Sequence, residues 1–113
     1  MSSRYVLERR KDGTFTFTLQ AHDGKILLTS RSYHDKDRAL RTISMARQLA
    51  RRDENYELLR TDSGPVYFVL KNARGEMIGQ SRRPIAAESF RQEMNLVKAK
   101  TRGARLEDLT EKL

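Results

Sequence analysis

From Thr14 to Ala21 the chain alternates: Phe15, Phe17, Leu19 and Ala21 share one parity, while Thr14, Thr16, Thr18 and Gln20 share the other. Successive side chains of an extended backbone point to opposite faces, so this period of two predicts a half-buried strand. Upstream, residues 5–9 read as an opening strand of aromatic and branched residues, closed by the turn signal Asp12-Gly13. Downstream, Asp23-Gly24 turns the chain into Lys25-Ile-Leu-Leu-Thr-Ser30, a third strand. The period then changes. From Asp35, a fitting N-cap, to about Arg52, the residues Ala39, Ile43, Ala46 and Ala50 recur at helical spacing. At 100° per residue they fall in a stripe about 60° wide, the face a helix would bury.

The same pattern then begins again. A shift of 51 residues pairs Tyr5 with Tyr56, Leu7 with Leu58, Arg9 with Arg60, Gly13 with Gly64 and Phe17 with Phe68. It also pairs Leu19 with Leu70, Gly24 with Gly75, Ser30 with Ser81, Arg31 with Arg82 and Arg51 with Arg102, without a gap. Residues 5–55 therefore read as a unit that recurs as residues 56–106. In the second unit Val66, Phe68 and Leu70 repeat the buried face, Arg74-Gly75 the turn, and residues 76–81 the third strand. Pro84 suits a first helical turn. Phe90, Met94 and Val97 stand 51 residues after Ala39, Ile43 and Ala46, so both helices present the same stripe, large in one and small in the other. Strands joined by short turns run antiparallel, and segregated helices define an α+β fold. The expected architecture is tandem duplicated β-β-β-α units: an antiparallel sheet with two helices packed on it. Residues 1–113 form one domain, with residues 107–113 a partly ordered tail. Arg105 and Leu106 could add a short final strand, and residues 111–113 are expected to fray.

The units differ on one face. Thr14, Thr16 and Thr18 become Pro65, Tyr67 and Val69, which makes that strand of the second unit apolar on both sides. The expected cover is the C-terminal tail, through Leu106 or Leu109, which leaves a monomer. A second copy of the chain is the other candidate cover.

The stretch from Phe17 to Tyr33, with Lys36 and Ile43 behind it, resembles the YegP-like family, a domain of unknown function. Its repeats read Phe-x-Leu-x-Ala-x-Asn-Gly-x-x-Ile/Leu-x-x-Ser-Glu-x-Tyr, then Lys and Ile on a helix. Phe17, Leu19, Ala21, Gly24, Ser30, Tyr33, Lys36 and Ile43 match it, as do Phe68, Leu70, Gly75, Ile78 and Ser81 in the second unit. The resemblance covers nearly the whole chain and implies tandem or paired β3-α units. It implies no activity and no site residue. The family's Asn before the turn glycine is here Asp23 and Arg74, its Glu after the serine is Arg31 and Arg82, and its Tyr is Tyr33 and Pro84.

Charge adds a direction. Lys and Arg number 23 against 15 acids, a formal charge of +8, which invites anionic partners such as nucleic acid or acidic protein surfaces. There are no cysteines, which excludes disulfides and thiolate metal sites, and His22 and His34 have no ligand-spaced partners. No metal or cofactor is expected. No apolar run approaches a membrane span, and the first residues lack the apolar stretch of a secretory signal, so a soluble cytoplasmic protein is expected.

Catalytic patterns are weak. Ser30 and Ser81 would need a base within hydrogen-bond reach, and the second unit has no histidine. Each serine is better read as holding the connection from strand to helix. No phosphate-cradling glycine motif occurs. The basic residues do form a pattern. Arg47 and Arg51 on the first helix, and Arg91, Lys98 and Arg102 on the second, fall within roughly 40° on the helical wheel. Two basic ridges beside the buried stripes could contact phosphates, although long cationic side chains also commonly cover the border of an apolar stripe. The expected role is a small non-enzymatic binding domain. The alternative is a nucleic-acid-associated accessory protein that uses both ridges.

Overall fold

The computed structural model describes residues 3–81 and 84–110. Three strands, β1 (Arg4–Arg9), β2 (Phe15–Gln20) and β3 (Ile26–Thr29), lead into helix α1 (Lys36–Leu49). Three more, β4 (Tyr56–Arg60), β5 (Val66–Lys71) and β6 (Met77–Gln80), lead into α2 (Phe90–Thr101), which β7 (Arg105–Asp108) follows. All seven strands form one sheet in the order β4-β5-β6-β3-β2-β1-β7. The fold is α+β, with two helices contributing to a core shared with the sheet.

Alternation places the core. Tyr5 pairs with Leu19 and Leu7 with Phe17 across β1 and β2, so all four share one face, and each is at most 1% exposed. Leu58 pairs with Phe68 and Tyr56 with Leu70 across β4 and β5 in the same way. Onto this face α1 brings Ala39, Ile43, Ala46 and the following Ala50, and α2 brings Met94 and Val97, all buried. Asp35 caps α1, its carboxylate accepting from the Arg38 N–H at 2.7 Å. Gly24 and Gly75 turn the chain at φ of +89° and +81°, backbone that L side chains rarely adopt.

Several features recur 51 residues apart. A β-bulge falls at Leu19–Gln20 and another at Leu70–Lys71. Thr29 pairs antiparallel with Gln80, its own counterpart under the shift, where β3 meets β6 at the centre of the sheet. The Tyr5 hydroxyl lies 2.7 Å from Thr101 Oγ1 at the end of α2, and the Tyr56 hydroxyl donates to the Ala50 carbonyl at the end of α1 at 2.7 Å. Each opening strand thus holds the end of the more distant helix in sequence, or of the helix just before it. Burial pushes both phenols above their ordinary range.

The structure corrects five expectations. The sheet is mixed: β7 runs parallel to β1, with Arg105 N–H donating to the Ser3 carbonyl and Leu109 N–H to the Leu7 carbonyl. The tail therefore lies at the β1 edge and leaves Tyr67 and Val69, near the opposite edge, uncovered by it. Pro84 is not helical. Val66 first bridges Ile85, a 3-10 turn follows at Ala87–Ser89, and α2 begins only at Phe90. Helix α1 stops at Leu49 rather than near Arg52. Finally, Thr16 and Thr18 are buried, not solvated. A polar row of Glu107, Arg4, Gln20 and Thr18, joined at 3.3, 3.2 and 2.9 Å, lies on that face beside Val6. The expectations for Arg82 and for residues 111–113 fall outside the described residues.

Candidate anion-binding site

The five ridge residues divide into two groups. Arg47 Nη1 donates to the Ala104 carbonyl at 2.6 Å, and its guanidinium lies 5.0 Å from the centre of the Tyr5 ring. Lys98 pairs with Asp53. Arg47 and Lys98 are 51 residues apart, and so are Asp53 and Ala104, so each cation ties its helix to the matching position after the other helix. Both belong to the fold. The hydrogen bond from Lys98, followed by the charges of Lys98 and Arg91, holds the Asp53 carboxyl below its ordinary range. Arg51, Arg91 and Arg102 remain exposed. They sit at the end of α1, the start of α2 and the end of α2, and among the described residues no hydrogen bond or ion pair joins them into a single continuous ridge.

Both candidate serines are committed to the backbone. Ser30 Oγ accepts from the Phe17 N–H at 2.8 Å and donates to the Arg31 carbonyl at 2.7 Å. Ser81 Oγ accepts from the Phe68 N–H at 3.1 Å. Each serine ties the end of a third strand to the middle of a second one, its hydroxyl accepting from the same residue, Phe17 or Phe68, whose carbonyl accepts from the serine's own N–H at 2.9 Å. Among the described residues no cluster of three His, Asp or Glu side chains is placed to hold a metal ion, and no helix is long and apolar enough to cross a membrane.

The sequence reading missed a cleft of about 430 Å³ between α1 and the β5–β6 turn. Arg38, Thr42 and Met45 form one wall, spaced at i, i+4 and i+7 along α1. Arg74 and Glu76, from the turn, form the opposite wall, and Arg31 with His34 closes the end where β3 leads into α1. Glu76 already accepts from Asn72 Nδ2 at 2.8 Å. None of the three guanidinium groups makes a hydrogen bond or ion pair with another described residue. In the sequence Arg31 stands out as a repeat identity and Arg74 as part of a turn signal, both as departures from a family pattern, and Arg38 not at all.

No family model matches the chain. The UPF0339 protein PA0329 of Pseudomonas aeruginosa is 41% identical over 81 residues, which is 72% of this chain and 74% of that protein. The UPF0339 protein YegP of Escherichia coli strain K12 is 32% identical over 110 residues, 97% of this chain and 100% of that protein. Two solution NMR structures share the fold. That of E. coli YegP, described as a protein of unknown function, superposes with a TM-score of 0.89, at 32% identity, over 100% of this chain and 97% of its own. That of the UPF0339 protein SO3888 from Shewanella oneidensis gives 0.88, at 26% identity, over 97% and 93%.

Proposed function

The chain belongs to the UPF0339 family of YegP-like proteins, and from that premise we propose that it is a small, cytoplasmic, non-catalytic domain that binds an anionic partner. The observation that carries this reading is the unequal use of polar side chains. The hydroxyls that could act as nucleophiles are committed to strand backbone, whereas the guanidinium groups of Arg31, Arg38 and Arg74 line one cleft with no partner among the described residues. Unpaired arginines offer planar, forked donors suited to oxyanions.

The domain is, in the same proposal, two copies of one β-β-β-α unit, residues 5–55 and 56–106, related by an approximate two-fold axis. Its support is reciprocity. A two-fold that exchanges residues 51 apart must pass between Thr29 and Gln80, which are each other's partners. It must also exchange the bond of Tyr5 to Thr101 with that of Tyr56 to Ala50, and the contact of Arg47 to Ala104 with that of Lys98 to Asp53.

A second reading, nucleic-acid association, is favoured by the exposed Arg51, Arg91 and Arg102. Retention of the full chain on heparin and on a random RNA pool, followed over increasing salt, separates the two. A steep fall with salt that the Arg51→Gln/Arg91→Gln/Arg102→Gln variant abolishes supports nucleic acid. Capture of small anions that the same variant retains supports the ligand-binding reading. A chain that binds neither overturns both.

A further inference from the structure

The gap between α1 and the β5–β6 turn has a counterpart 51 residues away, between α2 and the β2–β3 turn. There the places of Thr42 and Glu76 are taken by Glu93 and Lys25, which approach to 4.0 Å and bridge helix to turn. The places of Arg38 and Arg74 are taken by Ser89 and Asp23. One gap thus holds one lysine and two acids and is spanned by an ion pair. The other holds two arginines and one glutamate at the same positions and stays open; Arg31 also lines it, and the counterpart of Arg31, Arg82, lies outside the described residues. Both turns follow a β-bulge at matching positions, Leu19–Gln20 and Leu70–Lys71, and the side chains around the two gaps differ.

We propose that the open cleft is a binding site for a phosphomonoester that carries an apolar body, a molecule of about nucleotide size. The inference rests on the reading of the protein as a non-catalytic binding domain. Three guanidinium groups against one carboxylate exceed what a single carboxylate ligand requires, since one bidentate arginine satisfies it; a phosphate dianion has the charge and the oxygens to engage more than one fork. The volume of about 430 Å³ lies within the usual span of ligand sites. Tyr33, Met77 and Ile78 add apolar lining, and Met45, 41% exposed, stands free to cover a ring or chain beside the phosphate.

Phenyl phosphate is the probe, titrated into the full-length ¹⁵N-labelled chain up to ~10 mM, well beyond a weak millimolar site. Amide shifts are expected at residues 32–34 and 72–78, with inorganic phosphate binding more weakly at the same place. Arg38→Gln/Arg74→Gln should weaken binding by ~10-fold or more, and Glu76→Gln should tighten it by ~2–3-fold. Arg51→Gln/Arg102→Gln, neither of which lines the cleft, should change it less than ~2-fold. All these side chains are at the surface, and the same spectra report whether each variant is folded. Absence of shifts at the cleft overturns the proposal, as do shifts there with a random RNA pool but none with phenyl phosphate. Retention on heparin in that case would still support an anion-binding domain. Release of phenol would overturn the non-catalytic reading while leaving the cleft as the site.

Discussion

Replacing Phe17 or Phe68 with alanine tests whether the two strand centres are built alike and where they differ. Each ring is 1% exposed. Phe17 meets Tyr5 edge-on at 6.0 Å and lies parallel to the Tyr33 ring at 6.4 Å, and Tyr33 is itself only 8% exposed. Deleting the ring forfeits about 2–3 kcal/mol of transfer free energy. It also empties roughly 100 Å³, up to about 2 kcal/mol more where the surroundings cannot collapse. Walled in by two buried tyrosines, Phe17→Ala should therefore cost about 4–5 kcal/mol. Phe68 meets Tyr56 at 5.9 Å and Phe90 at 6.0 Å, and Phe90 is partly exposed at the first residue of α2. It can settle into the space, so Phe68→Ala should cost about 3–4 kcal/mol. Guanidinium denaturation followed by circular dichroism, with slopes compared as well as midpoints, gives both values. Should the alanine variants not fold, Phe17→Leu and Phe68→Leu give the same ranking at smaller cost. Losses below about 1 kcal/mol from both alanine variants would mean that the faces of β2 and β5 are assigned backwards. A larger loss at Phe68 than at Phe17 would refute the argument from relaxation.

Three further outcomes are expected. A Cβ on Gly79 would meet the Leu28 side chain at 3.6 Å, ordinary contact; Gly79→Ala should change stability by less than ~0.5 kcal/mol, while Gly79→Leu should overpack the strand pair by ~1–3 kcal/mol, and equal effects in thermal melts would contradict this. Hydrogen bonds from Lys36 and then Thr110 hold the Asp108 carboxyl at about 2. A folded pKa below the unfolded value of about 3.9 contributes stability present above about pH 4 and lost as pH falls toward about 2. Asp108→Asn should make the decline of stability across that window less steep, and an unchanged slope would remove the Lys36 contact from the account. Truncation after Gly103 deletes β7, frees the β1 edge and takes the Ala104 carbonyl from Arg47; it should cost ~2 kcal/mol or more, and an unmoved denaturation midpoint would show the tail to be dispensable.

What could be read in the sequence was whatever is set by near neighbours. The parity of Phe15, Phe17 and Leu19 placed the core face of β2, and the spacing of Ala39, Ile43 and Ala46 placed the buried stripe of α1. Strand β7 was only half legible, because Arg-Leu-Glu-Asp has a single apolar residue and its direction depends on where α2 leaves the chain. Pro84 carried a helix signal that the bridge from Val66 to Ile85 outweighed, since that pairing must be completed before the helix can begin. The threonines of β2 followed the parity but not its usual meaning: both Thr16 and Thr18 are buried, and Thr18 ends a row of long polar side chains through its bond from Gln20. A helical wheel gives the direction of a Cα–Cβ bond but not where a long side chain ends, and so could not show Arg47 reaching Ala104. The cleft was illegible for a related reason. Its arginines come from three separate segments, and no local pattern joins Arg31 and Arg38 to Arg74.

The pairing of like positions also bears on where function should be sought. Under the proposal of two units about an approximate two-fold axis, residues on that axis face their own counterparts, and two bulky side chains cannot both occupy the space between them. Leu28 and Gly79 meet this constraint by being unlike: the leucine is 1% exposed and packs where its counterpart has no side chain. The contacts that join the two units are matched instead. Tyr5 and Tyr56 hold the helix ends, and Arg47 and Lys98 reach positions 104 and 53. Loss of any one of these would loosen both units at once, so each is constrained by the stability of the whole domain. The two helix–turn gaps share no residue between the lining of one and the ion pair of the other, so their side chains can differ. One could close through Lys25 and Glu93 while the other gathered unpaired arginines, with the fold unchanged. Matched pairs carry the fold. A binding role then belongs among the unmatched positions, and Arg38 and Arg74, whose counterparts are Ser89 and Asp23, place unmatched positive charge in the open cleft.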